Sequence, residues 1–363
     1  MATPLAACKS PLHQMTQTTP TCLWNDSAAP DELAYSIGHG AVGATCNPVI
    51  ALGILKRQMA QWRGRIEALI RAMPDATEDQ IGWRVVEEMS AAGAALLKPI
   101  FDAQHGRNGR LSIQTDPRFY RNSQAILEQA MRFSQLAPNM IVKIPATRAG
   151  LPAMEEATYR GISINATVSF TLPQAIAVAE AVERGLARRE REGLEIASMG
   201  PVCTIMVGRL DDWMKVLLEK NNLCIDPGYL EWAGVAVFKK AYRIYRERGY
   251  RLRLLSAAFR NHMHWSEFVG GNVVISPPYA WQVRYNASGI DPIPRMDNPV
   301  DPRIVAALTE QFADFGRAYA ENGIAVEDFD TYGATQRTLR QFLAAGADLN
   351  AVIRDVMVPN PDK

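Results

Sequence analysis

Short apolar runs bounded by turn residues recur along the chain, each followed by a longer charged stretch. They lie at Cys22–Trp24, Val42–Thr45, Leu111–Thr115, Ile141–Ile144, Ile162–Ser169, Val202–Val207, Leu252–Leu255 and Val273–Ile275. Runs of this length alternating with helical stretches read as buried parallel strands. The intervening segments Gln174–Glu190 and Tyr229–Arg248 carry helical periodicity. Eight strands with helical crossovers predict an α/β fold of one closed sheet, the (β/α)8 or TIM barrel, with no linker that marks a second domain. Two regions exceed the repeat. Ala51–Gly109 predicts a helical insertion of two or three helices after the second strand. Asn298–Lys363 predicts an all-helical C-terminal extension packed on the barrel. The expected division is a flexible N-terminal segment over 1–20, a catalytic barrel over 21–297 and the extension over 298–363.

Composition narrows the function classes. Lys plus Arg number 39 against 38 Asp plus Glu, a net charge of +1, so the chain lacks the field of a nucleic-acid or membrane-surface binder. An anionic ligand would need a local pair of arginines. Cys8, Cys22, Cys46, Cys203 and Cys224 are odd in number, scattered and without a CxxC pair, which predicts reduced thiols rather than a zinc site or disulfide framework. Residues 1–20 hold no apolar run of the signal-peptide kind, and no stretch approaches the roughly 18 apolar residues that span a bilayer. A cytoplasmic protein is expected.

The segment Met140-Ile-Val-Lys-Ile-Pro-Ala-Thr147 places Lys143 in the middle of an apolar strand without an acidic neighbour. Burying an unpaired ammonium is costly, and the usual outcome is a depressed pKa. A desolvated, partly neutral lysine can attack a ketone; a strand-edge lysine that reaches solvent is the structural alternative. Asp26 falls at the end of the first predicted strand, Asn47 just after the second, and Asn165 and Thr167 on the strand after Lys143. In a parallel barrel all strand C-termini open on one face, so these residues are expected at one mouth. Taken singly, Asp26 reads better as a helix N-cap and Asn47 as a turn residue; it is polar groups at several successive strand ends that point to a site.

The ordered motifs Asp26-Ser-Ala, Gly43-Ala-Thr-Cys-Asn-Pro, Val142-Lys-Ile-Pro-Ala-Thr, Gly161-Ile-Ser-Ile-Asn-Ala-Thr and Val207-Gly-Arg resemble those of the transaldolase family and its fructose-6-phosphate aldolase relatives, from about Leu23 to Pro277. The resemblance implies class I aldol chemistry that transfers a dihydroxyacetone unit from a ketose or ketose phosphate to an aldose acceptor. Lys143 would form the Schiff base, Asp26 would act as general acid/base, and Gln114 with Thr167 would position the catalytic water. Asn47, Asn165 and Thr204 would hold the donor's hydroxyls, and Arg209 and Arg260 its phosphate. No metal or organic cofactor is implied, and the expected partners are small sugar substrates, with no nucleic acid or membrane and a possible homo-oligomer.

Several positions depart from that pattern. Gln114 stands where transaldolases carry glutamate and fructose-6-phosphate aldolases glutamine; an amide positions water but cannot take its proton. An aldolase that releases free dihydroxyacetone, or one acting on a divergent ketose, is therefore the alternative. Ala258 replaces a serine of the phosphate site, Met206 an aromatic residue, and Cys46 a threonine. For Arg209 the structural alternative is an ion pair with Asp211 or Asp212, and for Arg260 a surface role.

Three other signals point elsewhere. Gly38-His-Gly-Ala-Val-Gly43 has dinucleotide-fingerprint spacing, but it leads into a strand instead of opening a helix. His262 and His264, with Glu267 nearby, could seed a metal site, but a third ligand at motif spacing is missing, which favours a structural reading. Trp232–Phe238 has the spacing of a helix packed inward, and a non-catalytic binding module would require Lys143 to be inert.

Overall fold

The computed structural model describes residues 8–362. Its centre is a closed barrel of eight parallel strands in chain order. These are β1 (Cys22–Asn25), β2 (Ala41–Cys46), β3 (Arg110–Gln114), β4 (Met140–Pro145), β5 (Ile164–Thr167), β6 (Val202–Ile205), β7 (Arg253–Ser256) and β8 (Val274–Ile275), with β8 pairing back to β1. Each predicted apolar run overlaps one strand. The run at Ile162–Ser169 yields a shorter strand because Val168 turns into the left-handed region at φ 53°.

Helix α1 (Pro11–Thr18) precedes the barrel, and α2 (Pro30–Gly38) links β1 to β2. The long insertion is two helices, α3 (Pro48–Ala72) and α4 (Glu78–Ala103). Asn47 caps α3 ahead of its proline, and Thr77 with Gln80 forms a capping box on α4. Then come α5 (Ser123–Ser134), α6 (Gly150–Tyr159) and α7 (Leu172–Arg191). Helices α8 (Val207–Lys220), α9 (Pro227–Leu230) and α10 (Ala233–Arg248) separate β6 from β7, and α11 (Met263–Ser266) separates β7 from β8. After β8 follow α12 (Tyr279–Asn286), α13 (Pro302–Gln311), α14 (Ala313–Tyr319) and α15 (Gly333–Met357).

Two expectations change. The flexible segment expected over 1–20 contains α1, whose Leu12 and Met15 are fully buried, with Trp265 Nε1 donating to Met15 Sδ at 3.3 Å. Residues 1–7 lie outside the described residues. The single helix expected over Tyr229–Arg248 is broken at Glu231–Trp232, where the Gly234 N–H turns to the buried Asp211 carboxylate at 2.8 Å and α10 starts afresh.

Inside the barrel, Trp24, Ile141, Val202, Leu255, Ala257 and Val274 form a separate apolar layer contributed by five strands and the residue after β7. Gly43 faces the Trp24 indole so closely that a Cβ would sit 2.4 Å from its ring. Among the C-terminal helices, α13 and α14 pack on α10, whereas α15 packs along α3 and α4 and reaches α8.

Candidate active site

Lys143 is central on β4 and 3% exposed, in register with Gln114 on one side and Asn165 on the other. Its ammonium has no hydrogen bond or ion pair among the described residues. Burial pushes its pKa below the ordinary lysine value; the Asp26 carboxylate offsets part of this, and Arg209 adds to it. This is the strand-centre lysine the sequence predicts, not one that reaches solvent from an edge.

Asp26 follows directly on β1 and is half-buried. The fully enclosed Thr45 on β2 donates to its Oδ1 at 2.5 Å, which fixes the carboxylate. Asp26 caps no helix, since α2 begins at Pro30 without a side-chain cap. Asn47 does fill its structural alternative: its Oδ1 accepts from the Ile50 N–H at 2.9 Å. That bond uses one face of the amide and leaves Nδ2 without a partner among the described residues.

The Asn165 amide joins three strands. Its Nδ2 donates to Ser112 Oγ on β3 at 3.0 Å, and its Oδ1 accepts from Thr204 Oγ1 on β6 at 2.7 Å. All three residues are enclosed, so their polar groups are oriented before any ligand arrives. Gln114 is 2% exposed, and its Oε1 is an orphaned acceptor. Buried acceptors without partners are rare and commonly mark a water or ligand position. Thr167 ends β5, and among the described residues its hydroxyl has as its only hydrogen-bond partner the sulfur of Met206, 3.9 Å from its Oγ1. The next residue, Val168, is β-branched at positive φ, a conformation costing on the order of 1–3 kcal/mol that tends to collect at functional sites.

Arg209 lies in the first turn of α8, and Arg260 in the loop before α11. Arg209 pairs with neither Asp211 nor Asp212. Its Nη1 donates to Thr338 Oγ1 at 3.5 Å and to Gln341, both on α15, and its Nε is buried without a partner. Burial, then the like charge of Arg260, pulls its pKa down to about 10. Arg260 forms a forked pair with Asp212, its Nη2 reaching the carboxylate at 2.8 Å. The start of α8 and the segment after β7 meet at Gly208, where a Cβ would lie 2.0 Å from the Ala258 carbonyl oxygen. That close approach explains the glycine of Val207-Gly-Arg. Cys46 is buried, its thiol pushed up to about 11 by desolvation, consistent with packing.

The histidines separate. His264 Nε2 lies 2.8 Å from Asp211 Oδ2 with both side chains fully enclosed, and its Nδ1 accepts from the Arg260 N–H at 3.0 Å. His262 Nδ1 meets Ser266 Oγ, while Glu267 pairs with Lys239. These three side chains serve different partners, and His264 anchors the loop that carries Arg260. The glycines of Gly38–Gly43 close α2 and enter β2. Trp232–Phe238 opens α10, whose apolar side faces the core. No helix among the described residues is long and apolar enough to cross a membrane.

Thr45 and Ser112 were not singled out in the sequence. The available signal was the strand period of two: each stands two residues before a predicted site residue, Asn47 or Gln114, and so shares its face.

Comparison with known proteins agrees with this architecture. The family described as Transaldolase/Fructose-6-phosphate aldolase matches residues 23–324. Transaldolase 1 of Streptomyces avermitilis is 33% identical over 219 residues, covering 59% of this chain and 57% of that protein. The transaldolase of Acidothermus cellulolyticus is 31% identical over 238 residues, 62% of each chain. The transaldolase of Thiobacillus denitrificans is 27% identical over 357 residues, 91% of this chain and 90% of that one. The matched region thus spans little more than half of the Streptomyces protein. With a family match across the whole barrel, on a fold of eight parallel strands around a buried lysine, the chain belongs to the transaldolase/fructose-6-phosphate aldolase family.

Proposed function

We propose that the protein is a transaldolase-type enzyme that moves a dihydroxyacetone unit through a Schiff base on Lys143. The observation that carries this reading is an enclosed, unpaired lysine set in register between Gln114 and Asn165. The neutral amine attacks the C2 carbonyl of a ketose to give a carbinolamine, and loss of water yields a protonated imine. Asp26 removes the C4 hydroxyl proton, the C3–C4 bond breaks, and its electron pair flows into the imine to leave an enamine and a free aldehyde. Attack of the enamine on an acceptor aldehyde reverses these steps. Asn47, Asn165 and Thr204 hold the hydroxyls of the three-carbon unit, Arg209 and Arg260 the donor's phosphate, and Gln114 with Thr167 the water of carbinolamine chemistry.

One observation favours a second reading. The orphaned Gln114 Oε1 can accept a hydrogen bond from water but cannot take its proton. An aldolase that releases free dihydroxyacetone fits that group.

Borohydride trapping with phosphorylated and free ketoses, read by intact mass and peptide mapping, tests the chemistry. A reduced three-carbon adduct on Lys143 is expected, absent in Lys143→Met while the fold persists. Turnover retained by Lys143→Met would remove the Schiff-base reading. Product analysis with and without an acceptor aldehyde separates transfer from release.

A further inference from the structure

Ala258 leaves the phosphate region one hydroxyl short of the pattern that the family resemblance implies, and a neighbouring element brings a different group there. Helix α15 comes against the start of α8, where Thr338 and Gln341 hold Arg209. One residue before Thr338, and one helical turn before Gln341, stands Arg337. Its Nη1 donates to the Asp212 carbonyl at 3.2 Å, and Asp212 is the residue whose carboxylate holds Arg260. Arg260 and Arg337 thus share Asp212 as a partner, and Arg209, held on the same turn of α15, lies close enough to feel the charge of both.

The charge balance of this cluster is specific. Of the three guanidiniums only Arg260 pairs with the Asp212 carboxylate; Arg209 and Arg337 make no ion pair among the described residues. The two uncompensated positive charges match a phosphate dianion, on a chain whose net charge is only +1. Arg337 is exposed, with one nitrogen committed to a carbonyl and the rest of its fork free of protein partners among the described residues.

We infer that Arg337 of the C-terminal helix is a third phosphate-binding arginine, acting with Arg209 and Arg260 to select a phosphorylated donor in place of the missing serine hydroxyl. This rests on the proposed sugar chemistry for the name of the substrate, but not for the binding of the anion. On phosphate arrival the Arg337 fork turns from the Asp212 carbonyl to the phosphate oxygens, and α15 becomes part of the donor site. A short point charge cannot reproduce that two-pronged contact, so lysine is a poor substitute.

The test is calorimetric titration with inorganic phosphate of the native protein and of R337A, R337K and R340A. Donor kinetics are then measured with a ketose phosphate and with the same ketose unphosphorylated. R337A is expected to bind inorganic phosphate about tenfold or more weakly, the loss typical of a hydrogen bond to a charged group. R337K should recover only part of that, and R340A should bind as the native protein does. KM for the ketose phosphate should rise in R337A with kcat kept, while the free ketose is handled unchanged, which also establishes that the variant is folded. Native phosphate affinity in R337A overturns the inference. So does an equal loss in R340A, which would make the effect one of diffuse helix charge. If no ketose forms an adduct on Lys143 in the native protein, the Schiff-base reading fails, yet the phosphate titration still decides the part played by Arg337.

Discussion

Lys143 and Asp26 face each other electrostatically with opposite needs. The amine must lose its proton to act as a nucleophile, and desolvation in the barrel favours that loss; the nearby carboxylate opposes it. Because the folded-state pKa lies below the ordinary value of 10.5, the unfolded chain binds more protons between the two. Stability therefore rises with pH through that window. Lys143→Met removes this dependence, so near pH 7 the variant should be more stable than the native protein, and the two should converge as pH climbs past the ordinary lysine range. Denaturant titrations across that range check this, and parallel curves would contradict it. Asp26→Asn keeps the hydrogen bond from Thr45 but cannot accept a proton. Adduct formation on Lys143 should survive while turnover falls by about 10²–10⁴-fold, the usual contribution of a positioned general base. Equal loss of both would place Asp26 in the wrong step.

At the scale of elements, the barrel interior is divided. Its apolar layer holds Trp24, and the site side chains lie toward the strand C-termini from it. The register that achieves this depends on Gly43, which lets the β2 backbone pass the Trp24 indole. Gly43→Ala puts a methyl group into the ring and should cost about 1–3 kcal/mol, as overpacked cores do. The displacement would also move Thr45 on the same strand face, so a loss of turnover beyond the loss of stability is expected. A denaturation midpoint together with kcat on the folded fraction reads both; a Gly43→Ala protein of native stability would show that Trp24 can swing aside. The loop before α11 is stiffened differently, through the enclosed His264–Asp211 pair, so these residues support Arg260 without touching a substrate.

For the whole molecule, the extensions are part of the packing. Helix α1 buries Leu12 and Met15 beside Trp265, and α15 ties α3, α4 and α8 together. Leu12→Ala should destabilise the protein by about 2–5 kcal/mol, the range for a large-to-small change in a packed core. Chemical denaturation measures it, and a change below about 0.5 kcal/mol would mean that α1 is not held on the barrel in solution. The near balance of charge over the chain leaves the cluster around Arg209 as a local device. Recognition of an anionic sugar there should depend on short-range contacts more than on long-range steering.

The sequence by itself determined the number and order of strands, the barrel and the strand position of Lys143. Each of these is written locally: in apolar runs bounded by turns, and in a lone cation within one of them. The same local signals placed Asp26 and Asn47 at strand ends and Asn165 on the strand after Lys143. Only the tertiary structure decided which polar groups pair. The bonds from Thr45 to Asp26, from Asn165 to Ser112, from Thr204 to Asn165, and from Arg209 to Gln341 join residues 19 to 132 positions apart. Such bonds are set by barrel register and by the path of α15, which no window of adjacent residues encodes. For the same reason the short spacing of His262, His264 and Glu267 does not by itself make a shared ligand site, as their structural reading in the sequence anticipates. Side chains close in sequence turned to three separate partners, and the partner of His264 lies 53 residues away. Helix α1 was hidden because an eight-residue helix is stabilised by what it packs against, not by its own propensity.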